Sequence, residues 1–266
     1  MNGWRRGDRE RILNLPGVVT FTLGVLALVQ LAMGSLPREA VEAVYVTLAF
    51  VPARLSYLLW PEATAQAVAA ALGSGAEAEE LAEALAAEGS HWWTLASYAL
   101  LHANWTHLSI NGVTLAAFGS PLARRFGPPR FLSFLALTAI AGALAHLLVH
   151  PFDLMPVVGA SAAISGTMAA TARFVFTRVP GEGEASASPI RARAASLSEL
   201  WSNRQALAFV ALWFGVNLLF GLFPRAVGET ELIAWEAHVG GFAAGLLLFG
   251  LFDRGGAAAR EFARSE

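Results

Sequence analysis

Long apolar runs recur along this chain and constrain its fold more than any other feature of the sequence. Six runs of about 20 residues can each cross a hydrocarbon core of about 30 Å, because a helix rises 1.5 Å per residue. Only 14% of the residues are charged, whereas soluble domains carry about 25%. The sequence therefore predicts an all-α, polytopic membrane bundle with six transmembrane helices.

The six predicted spans form a membrane domain over residues 17–252, flanked by cytoplasmic tails at 1–16 and 253–266. A seventh apolar stretch, Val44–Trp60, is interrupted by Pro52 and Arg54. We interpret it as an interfacial segment, because an arginine is costly at mid-membrane. The spans are expected at Gly17–Leu36, Trp93–Ala117, Phe131–Leu148, Ser161–Thr177, Gln205–Leu222 and Ile233–Phe252.

The basic residues predict how these spans are oriented. All 18 are arginines, and all but Arg38, Arg54 and Arg225 fall in the two tails, in the second-to-third connection or in the region from Arg173 to Arg204. Because cytoplasmic loops carry an excess of basic residues, both termini are expected in the cytoplasm. This pattern fits a multi-pass protein of the bacterial inner membrane.

Two segments outside the spans look soluble. The external loop at 37–92 is long and acidic, and its stretch Ala76–Glu88 is typical of a short amphipathic helix on the membrane surface. The connection at 178–204 is rich in Gly, Ala, Ser and Arg, which favours a flexible cytoplasmic linker.

The first run has an alternative interpretation as a cleaved signal peptide, since basic residues precede it and small residues follow it. Its apolar stretch is longer than a usual signal core, and its removal leaves five spans and spoils the charge symmetry. We therefore expect a retained span.

Polar side chains inside the predicted spans concentrate in the second, fourth and sixth. These three spans run from outside to inside in the expected topology, so their early residues can meet near the external face. Polar groups are costly in hydrocarbon, and their convergence points to a functional site. The residues are His102, His107, Asn111, Ser161, Ser165 and His238.

The depth of Ser161 follows from Arg173, which is expected at the cytoplasmic interface. Ser161 precedes it by 12 residues, or about 18 Å of helix, and so lies about 10 Å below the external surface of the core. The segment 151–160 must then dip into the protein, which irregular backbone does only where protein or a water-filled cavity shields it. A wet cavity opening outward is expected here.

The residue types in this cluster suit acyl transfer. A serine hydroxyl becomes a good nucleophile when a base takes its proton, and histidine is the usual base. A helix that starts at Ser161 offers N–H groups and a positive dipole end to a developing oxyanion, and His107 and Asn111, four apart on one helix face, offer further donors. Small residues four apart, including Gly241, allow the fourth and sixth spans to approach closely.

Each of these residues also has a purely structural interpretation. A serine among Gly and Ala, such as Ser161 or Ser165, is usually a packing residue when taken alone. His146 and His150 are four apart like a metal pair, but no third ligand is evident, so no metal and no cofactor is expected. The chain has no cysteine, which excludes a disulfide framework and a cysteine nucleophile.

Four segments carry a more specific pattern: WTLASYALLHANWTHLSIN, FGSPLARRFG, VGASAAISG and AHVGGFAAG. In order and spacing they resemble the core of the rhomboid family of intramembrane serine proteases, in its bacterial six-span type. The resemblance covers roughly residues 15–252.

The resemblance implies a role for each matching residue. Ser161 corresponds to the nucleophile and His238 to the base of a dyad that works without an aspartate, and the sequence places no acidic residue to orient His238. His107 and Asn111 correspond to the oxyanion hole. Supporting residues are His102, Gly159 and Gly241.

Three positions depart from the family pattern. Thr94 follows Trp93 where the family usually has arginine, and Ala162 follows the nucleophile where glycine is usual. Ser165 stands where many members carry an aromatic residue against the catalytic histidine. None of the three removes a catalytic group, so we expect an active enzyme with a less rigid dyad.

The implied reaction is hydrolysis of peptide bonds in or near transmembrane segments of other membrane proteins. The expected partners are such substrates and the bilayer, and no nucleic acid. A lateral opening beside the fifth span, with Pro224–Glu236 as a lid, would admit the substrate. The alternatives are an inactive rhomboid-like protein that binds transmembrane helices and a small transporter, which would show inverted repeats that we do not find in the sequence.

Overall fold

The computed structural model describes residues 14–73, 75–177, 193–222 and 234–253, and these residues form an all-α fold. Most of both tails, residues 178–192 of the linker expected at 178–204, and residues 224–233 of the expected lid Pro224–Glu236 lie outside the described residues. The helices are α1 Gly17–Ser35, α2 Arg38–Leu48, α3 Pro52–Leu59, α4 Pro61–Leu72, α5 Ala76–Glu88, α6 Thr94–Ser97, α7 Trp105–Thr114, α8 Ser120–Phe126, α9 Pro128–Val149, α10 Ser161–Val175, α11 Leu197–Ser202, α12 Arg204–Leu222 and α13 Trp235–Phe252.

Three of the described helices are long and apolar enough to cross a membrane by length and composition: α1, α9 and α13. A fourth apolar segment, Arg204–Leu219 within α12, is shorter. The chain is therefore an integral membrane protein. By these criteria the described residues contain fewer spans than the six expected from the sequence, so the count of six is not confirmed.

The prediction for the second span was wrong at its N-terminal end. The run Trp93–Ala117 does not form one helix, because Tyr98–Leu100 is a single 3-10 turn and Leu101–Asn104 is not helical. The helical path starts at Trp105, where the Asn104 side chain caps the helix by accepting from the His107 backbone N–H at 2.8 Å. It then passes through a π turn, Leu115–Gly119, and continues into α8.

The centre of the fold is a three-helix contact of α9, α10 and α13, made possible by glycine. A Cβ added at Gly241 would lie 2.0 Å from the Ala162 carbonyl oxygen, and one at Gly245 would lie 2.3 Å from that of Gly166. The backbones of α10 and α13 therefore touch. This is the close approach expected from the small residues spaced by four.

A bidentate ion pair joins α8 to the C-cap of α13 at the end of the molecule opposite Ser161. Arg125 Nε and Nη2 donate to the two carboxylate oxygens of Asp253 at 2.9 and 2.8 Å, and the two side chains are only 4% and 6% exposed. The Arg125 guanidinium also lies over the rings of Phe174 and Phe249. Arg173 binds the Ala195 carbonyl at this same end.

The loop at 37–92 folds over the segment that precedes Ser161. Phe50 and Val157 exchange backbone hydrogen bonds of 3.1 and 2.8 Å, and Ser56 Oγ donates to the Pro151 carbonyl at 2.6 Å. The stretch Val44–Trp60 is not a span, since α2 ends at Leu48 and Pro52 starts α3. The helix expected at Ala76–Glu88 forms with those bounds.

Candidate active site

Ser161 and His238 are in direct contact. Ser161 is the first residue of α10 and His238 lies in the first turns of α13. Ser161 Oγ is 2.7 Å from His238 Nε2, a normal hydrogen-bond length. A serine hydroxyl and an imidazole therefore lie at hydrogen-bonding distance across the two helices, the arrangement that a nucleophile and its base require.

A third side chain, Asn217, binds the other ring nitrogen of His238. Asn217 Oδ1 is 2.6 Å from His238 Nδ1, while Asn217 Nδ2 donates to the Trp213 carbonyl at 2.8 Å. Because the amide nitrogen is used by Trp213, the amide oxygen faces His238 and accepts from Nδ1–H. This assignment leaves the Nε2 lone pair directed at the Ser161 hydroxyl.

Sequence reasoning missed Asn217. It lies in the fifth apolar run and is only 9% exposed, whereas the polar residues predicted to form the site lie in the second, fourth and sixth runs. A signal was present, since Asn217 is the single amide or hydroxyl side chain between Ala206 and Leu222. A lone polar residue in an apolar helix is a functional candidate.

An aromatic stack keeps α12 and α13 in this register. Trp213 and Phe242 stack with ring centroids 4.1 Å apart and planes 22° apart. Trp213 is four residues before Asn217, and Phe242 is four residues after His238, so the stack lies one helical turn from the polar contact. The two contacts together fix α12 against α13 beside Ser161.

Gly159 lies between Ser161 and the His107 ring. Its φ is +119°, a conformation that L side chains rarely adopt. A Cβ there would lie 2.7 Å from the His107 ring and 3.6 Å from Ser161 Oγ. Glycine is thus required both by the backbone conformation and by the close imidazole, and its N–H donates to the Tyr98 carbonyl at 3.1 Å.

His107 and Asn111 lie on α7, with His107 beside Gly159 near the serine. Asn111 is 5% exposed, and its side-chain nitrogen has no hydrogen-bond partner among the described residues. A buried amide donor of this kind is normally paired. His102 is also buried, with its ring centroid 5.1 Å from that of His107 in an edge-on contact.

The structure shows the surroundings of the three residues that depart from the family pattern. The Ala162 methyl fits because α9 has glycine opposite it: a Cβ at Gly142 would lie 2.5 Å from Ala162 Cβ. Thr94 is buried and donates to the His91 carbonyl at 2.6 Å, while Trp93 Nε1 donates to the Thr47 carbonyl at 2.8 Å. Ser165 is buried in α10.

Glu236 is two residues before His238 but does not contact the His238 ring. Its carboxylate lies 3.0 Å from His150 Nε2 and 3.4 Å from His146 Nδ1. Among the described residues, the group that orients His238 is the Asn217 amide and not a carboxylate.

The fold and the contact between serine and histidine define a class, an all-α integral membrane protein with a hydrolase-type pair of side chains. A family model for the Rhomboid domain matches residues 89–254, which is more than half of the chain. The chain belongs to the rhomboid family.

Three curated relatives share parts of the sequence. Putative rhomboid protease YdcA of Bacillus subtilis (strain 168) is 38% identical over 82 residues, covering 31% of this chain and 41% of that protein. Rhomboid protease GluP of the same organism is 35% identical over 86 residues, covering 32% and 16%. Rhomboid-like protease 3 of Toxoplasma gondii is 29% identical over 165 residues, covering 61% and 52%. The chain therefore spans about half or less of the length of these relatives.

Proposed function

We propose that the chain is a serine endopeptidase that cleaves peptide bonds in or near the transmembrane segments of other membrane proteins. Ser161 is the nucleophile and His238 the general base. The observation that carries the proposal is the 2.7 Å contact between Ser161 Oγ and His238 Nε2. Membership in the rhomboid family and the printed names of the three relatives support the same activity.

The reaction follows from the proton path. Ser161 Oγ attacks the scissile carbonyl carbon while its proton passes to His238 Nε2, and the protonated histidine then gives that proton to the leaving amine. An acyl-enzyme on Ser161 remains, and water hydrolyses it with His238 again acting as base. Asn217 is a positioning residue, since its amide oxygen fixes the tautomer that leaves Nε2 free to accept.

The oxyanion of the tetrahedral intermediate needs hydrogen-bond donors that are in place before reaction. Asn111 Nδ2 is buried and has no partner among the described residues, which suits a donor reserved for substrate. The N–H groups at the start of α10 and the His107 ring beside Gly159 supply the remaining donors. His102 supports His107 by edge contact, and Gly159 and Gly241 support the site by keeping space clear.

The substrate enters from the lipid beside α12. This helix turns large apolar side chains outward, with Leu212 69% and Leu219 47% exposed, while it holds α13 through Trp213 and Asn217. Movement of α12 would therefore open a side of the site to the bilayer. The expected lid at Pro224–Glu236 lies almost wholly outside the described residues.

We further propose that the chain crosses a bacterial inner membrane six times, with both termini in the cytoplasm. Support comes from the arginine distribution and from Arg125 and Arg173, which cluster at the end of the bundle opposite Ser161. Since the chain has no cysteine, single cysteines at Ala82 and in the 178–192 linker test the topology. A membrane-impermeant maleimide should label Ala82→Cys in intact cells, and labelling of the linker alone would overturn it.

The activity is tested by cleavage of a single-span model substrate in liposomes. Wild type should cut the substrate within or beside its apolar segment, and Ser161→Ala should not. Ser165→Ala is a matched control, because it removes a buried hydroxyl from the same helix and should retain cleavage. Equal cleavage by wild type and Ser161→Ala would refute the proposed nucleophile.

A further inference from the structure

A second cluster of titratable side chains lies at the junction of α9 and α13, outside the serine site. It comprises His146 near the end of α9, His150 at its C-cap, and Glu236 in the first turn of α13. One potential ligand atom from each lies within 4.8 Å of the other two. The sequence showed the two histidines but not the carboxylate, which comes from a helix 86 residues further along.

The distances suit a shared ion. Glu236 Oε2 is 3.4 Å from His146 Nδ1, and Glu236 Oε1 is 3.0 Å from His150 Nε2. Around a tetrahedral metal with bonds of about 2.0–2.1 Å, neighbouring ligand atoms are about 3.4 Å apart. Small rotations of the two imidazoles would therefore close the three ligands around one centre.

The surroundings of His146 give separate support for a bound ion. Its side chain is only 6% exposed, and neither ring nitrogen has a hydrogen-bond partner among the described residues. The nearest acceptors, Glu236 Oε2 at 3.4 Å from Nδ1 and Asp153 Oδ2 at 3.9 Å from Nε2, are too distant for good hydrogen bonds. Buried imidazole nitrogens are normally satisfied, so His146 lacks a close polar partner. A metal ion on Nδ1 would supply it.

Asp153 has the position of an outer carboxylate. Its Oδ2 lies 3.9 Å from His146 Nε2, while its Oδ1 accepts from the Met155 backbone N–H at 2.9 Å. Metal-bound histidines commonly direct the other ring nitrogen at a carboxylate, which fixes the ring orientation. A small shift would bring Asp153 to bonding distance of His146 on the side away from Glu236.

The geometry points to a binding site for a divalent transition-metal ion, with His146, His150 and Glu236 as ligands and Asp153 behind His146. Two imidazoles and one carboxylate are a donor set that Zn²⁺ accepts readily, with a fourth position left for water. His150 is 44% exposed, so an ion can enter from the external side without opening the core.

An ion in this site would tie the end of α9 to the first turn of α13, two residues before His238. The simpler alternative is that Glu236 only shares hydrogen bonds with the two histidines. The two arrangements differ in a direct observable, because only the first binds a metal with defined stoichiometry and raises the thermal midpoint once the free metal concentration exceeds its Kd.

The test is titration of the purified full chain in detergent with Co²⁺ and with Zn²⁺. Co²⁺ should give one equivalent of bound metal with the visible absorption of low-coordinate cobalt, and Zn²⁺ should displace it and raise Tm. His150→Ala and Glu236→Gln should each weaken binding by at least the 10- to 100-fold that loss of an outer partner causes. Asp153→Asn should weaken it by about 10-fold.

Control variants make the outcome decisive. His91→Asn removes a histidine from the external loop at a position with φ of +42°, which asparagine tolerates, and it should bind metal as wild type does. Ser161→Ala should also bind normally, so failure of the proposed protease leaves this test intact. Wild type that binds no metal, or His150→Ala and Glu236→Gln variants that fold and bind with unchanged affinity, would overturn the site.

Discussion

The Nδ1 atom of His238 lies 2.6 Å from Oδ1 of Asn217, so an amide on α12 orients the imidazole that contacts Ser161. In many serine hydrolases a carboxylate orients the histidine in this way. An amide oxygen fixes the histidine tautomer without placing a formal charge inside the membrane domain. It also makes the orientation of His238, the proposed base, depend on the position of the helix proposed to admit substrate.

Asn217→Ala should lower kcat by about 100-fold, the effect of a small misplacement at a catalytic group, while KM changes little. The His238 ring would lose the acceptor for Nδ1–H and populate the wrong tautomer. Steady-state cleavage of a quenched fluorescent substrate in detergent measures the split. Leu212→Ala, an outward position on the same helix, is the control, and an Asn217→Ala enzyme with wild-type kcat would contradict the positioning role.

Gly159→Ala should abolish cleavage. The new methyl would lie 2.7 Å from the His107 ring, and φ is +119°, so the substitution combines a clash with backbone strain of about 1–3 kcal/mol. Gly34→Ala is the matched control, because no atom lies within 4 Å of a Cβ there. Tm and labelling of Ser161 by a fluorophosphonate separate a folding defect from a blocked site, and normal labelling of Gly159→Ala would contradict the account.

Gly241→Ala and Gly250→Ala form a pair on one helix with opposite expectations. A Cβ at Gly241 would lie 2.0 Å from the Ala162 carbonyl oxygen, whereas nothing lies within 4 Å of one at Gly250. Overpacking should lower the free energy of unfolding of Gly241→Ala by about 1–3 kcal/mol, with loss of activity. Gly250→Ala should unfold as wild type does in mixed micelles, and equal stability of the two variants would contradict the packing of α10 on α13.

Asp253→Asn should destabilise the chain by about 3–5 kcal/mol, because it leaves the buried Arg125 guanidinium without its bidentate partner. Glu42→Gln breaks the exposed pair with Arg38, whose side chains are 91% and 63% exposed, and should change stability by less than about 1 kcal/mol. Unfolding curves in mixed micelles compare them. Similar small changes in both variants would show that Arg125 finds water or another acceptor.

Much of the helical framework could be predicted from apolar length. The bounds of α1, α9, α12 and α13 agree with the expected runs within about three residues, because each helix is limited by a charge, proline or polar residue at its ends. The start of α10 at Ser161 was also expected, as was α5. These features depend on local sequence.

Other features depend on contacts between distant parts of the chain. The sequence predicts one helix from Trp93 onward because hydropathy does not detect the capping of α7 by Asn104. The contact of Asn217 with His238 depends on the packing of α12 on α13, and that of Glu236 with His146 depends on the packing of α13 on the end of α9. Sequence alone supplied the candidate residues of the site, and tertiary packing supplied the groups that orient them.

The most direct test of the central claim is mass spectrometry of the protein after reaction with a fluorophosphonate. We expect a single adduct on Ser161 in wild type, no adduct in Ser161→Ala, and strongly slowed labelling in His238→Ala, because Nε2 activates the hydroxyl. An adduct on a different serine, or undiminished labelling when Ser161 is absent, would contradict it.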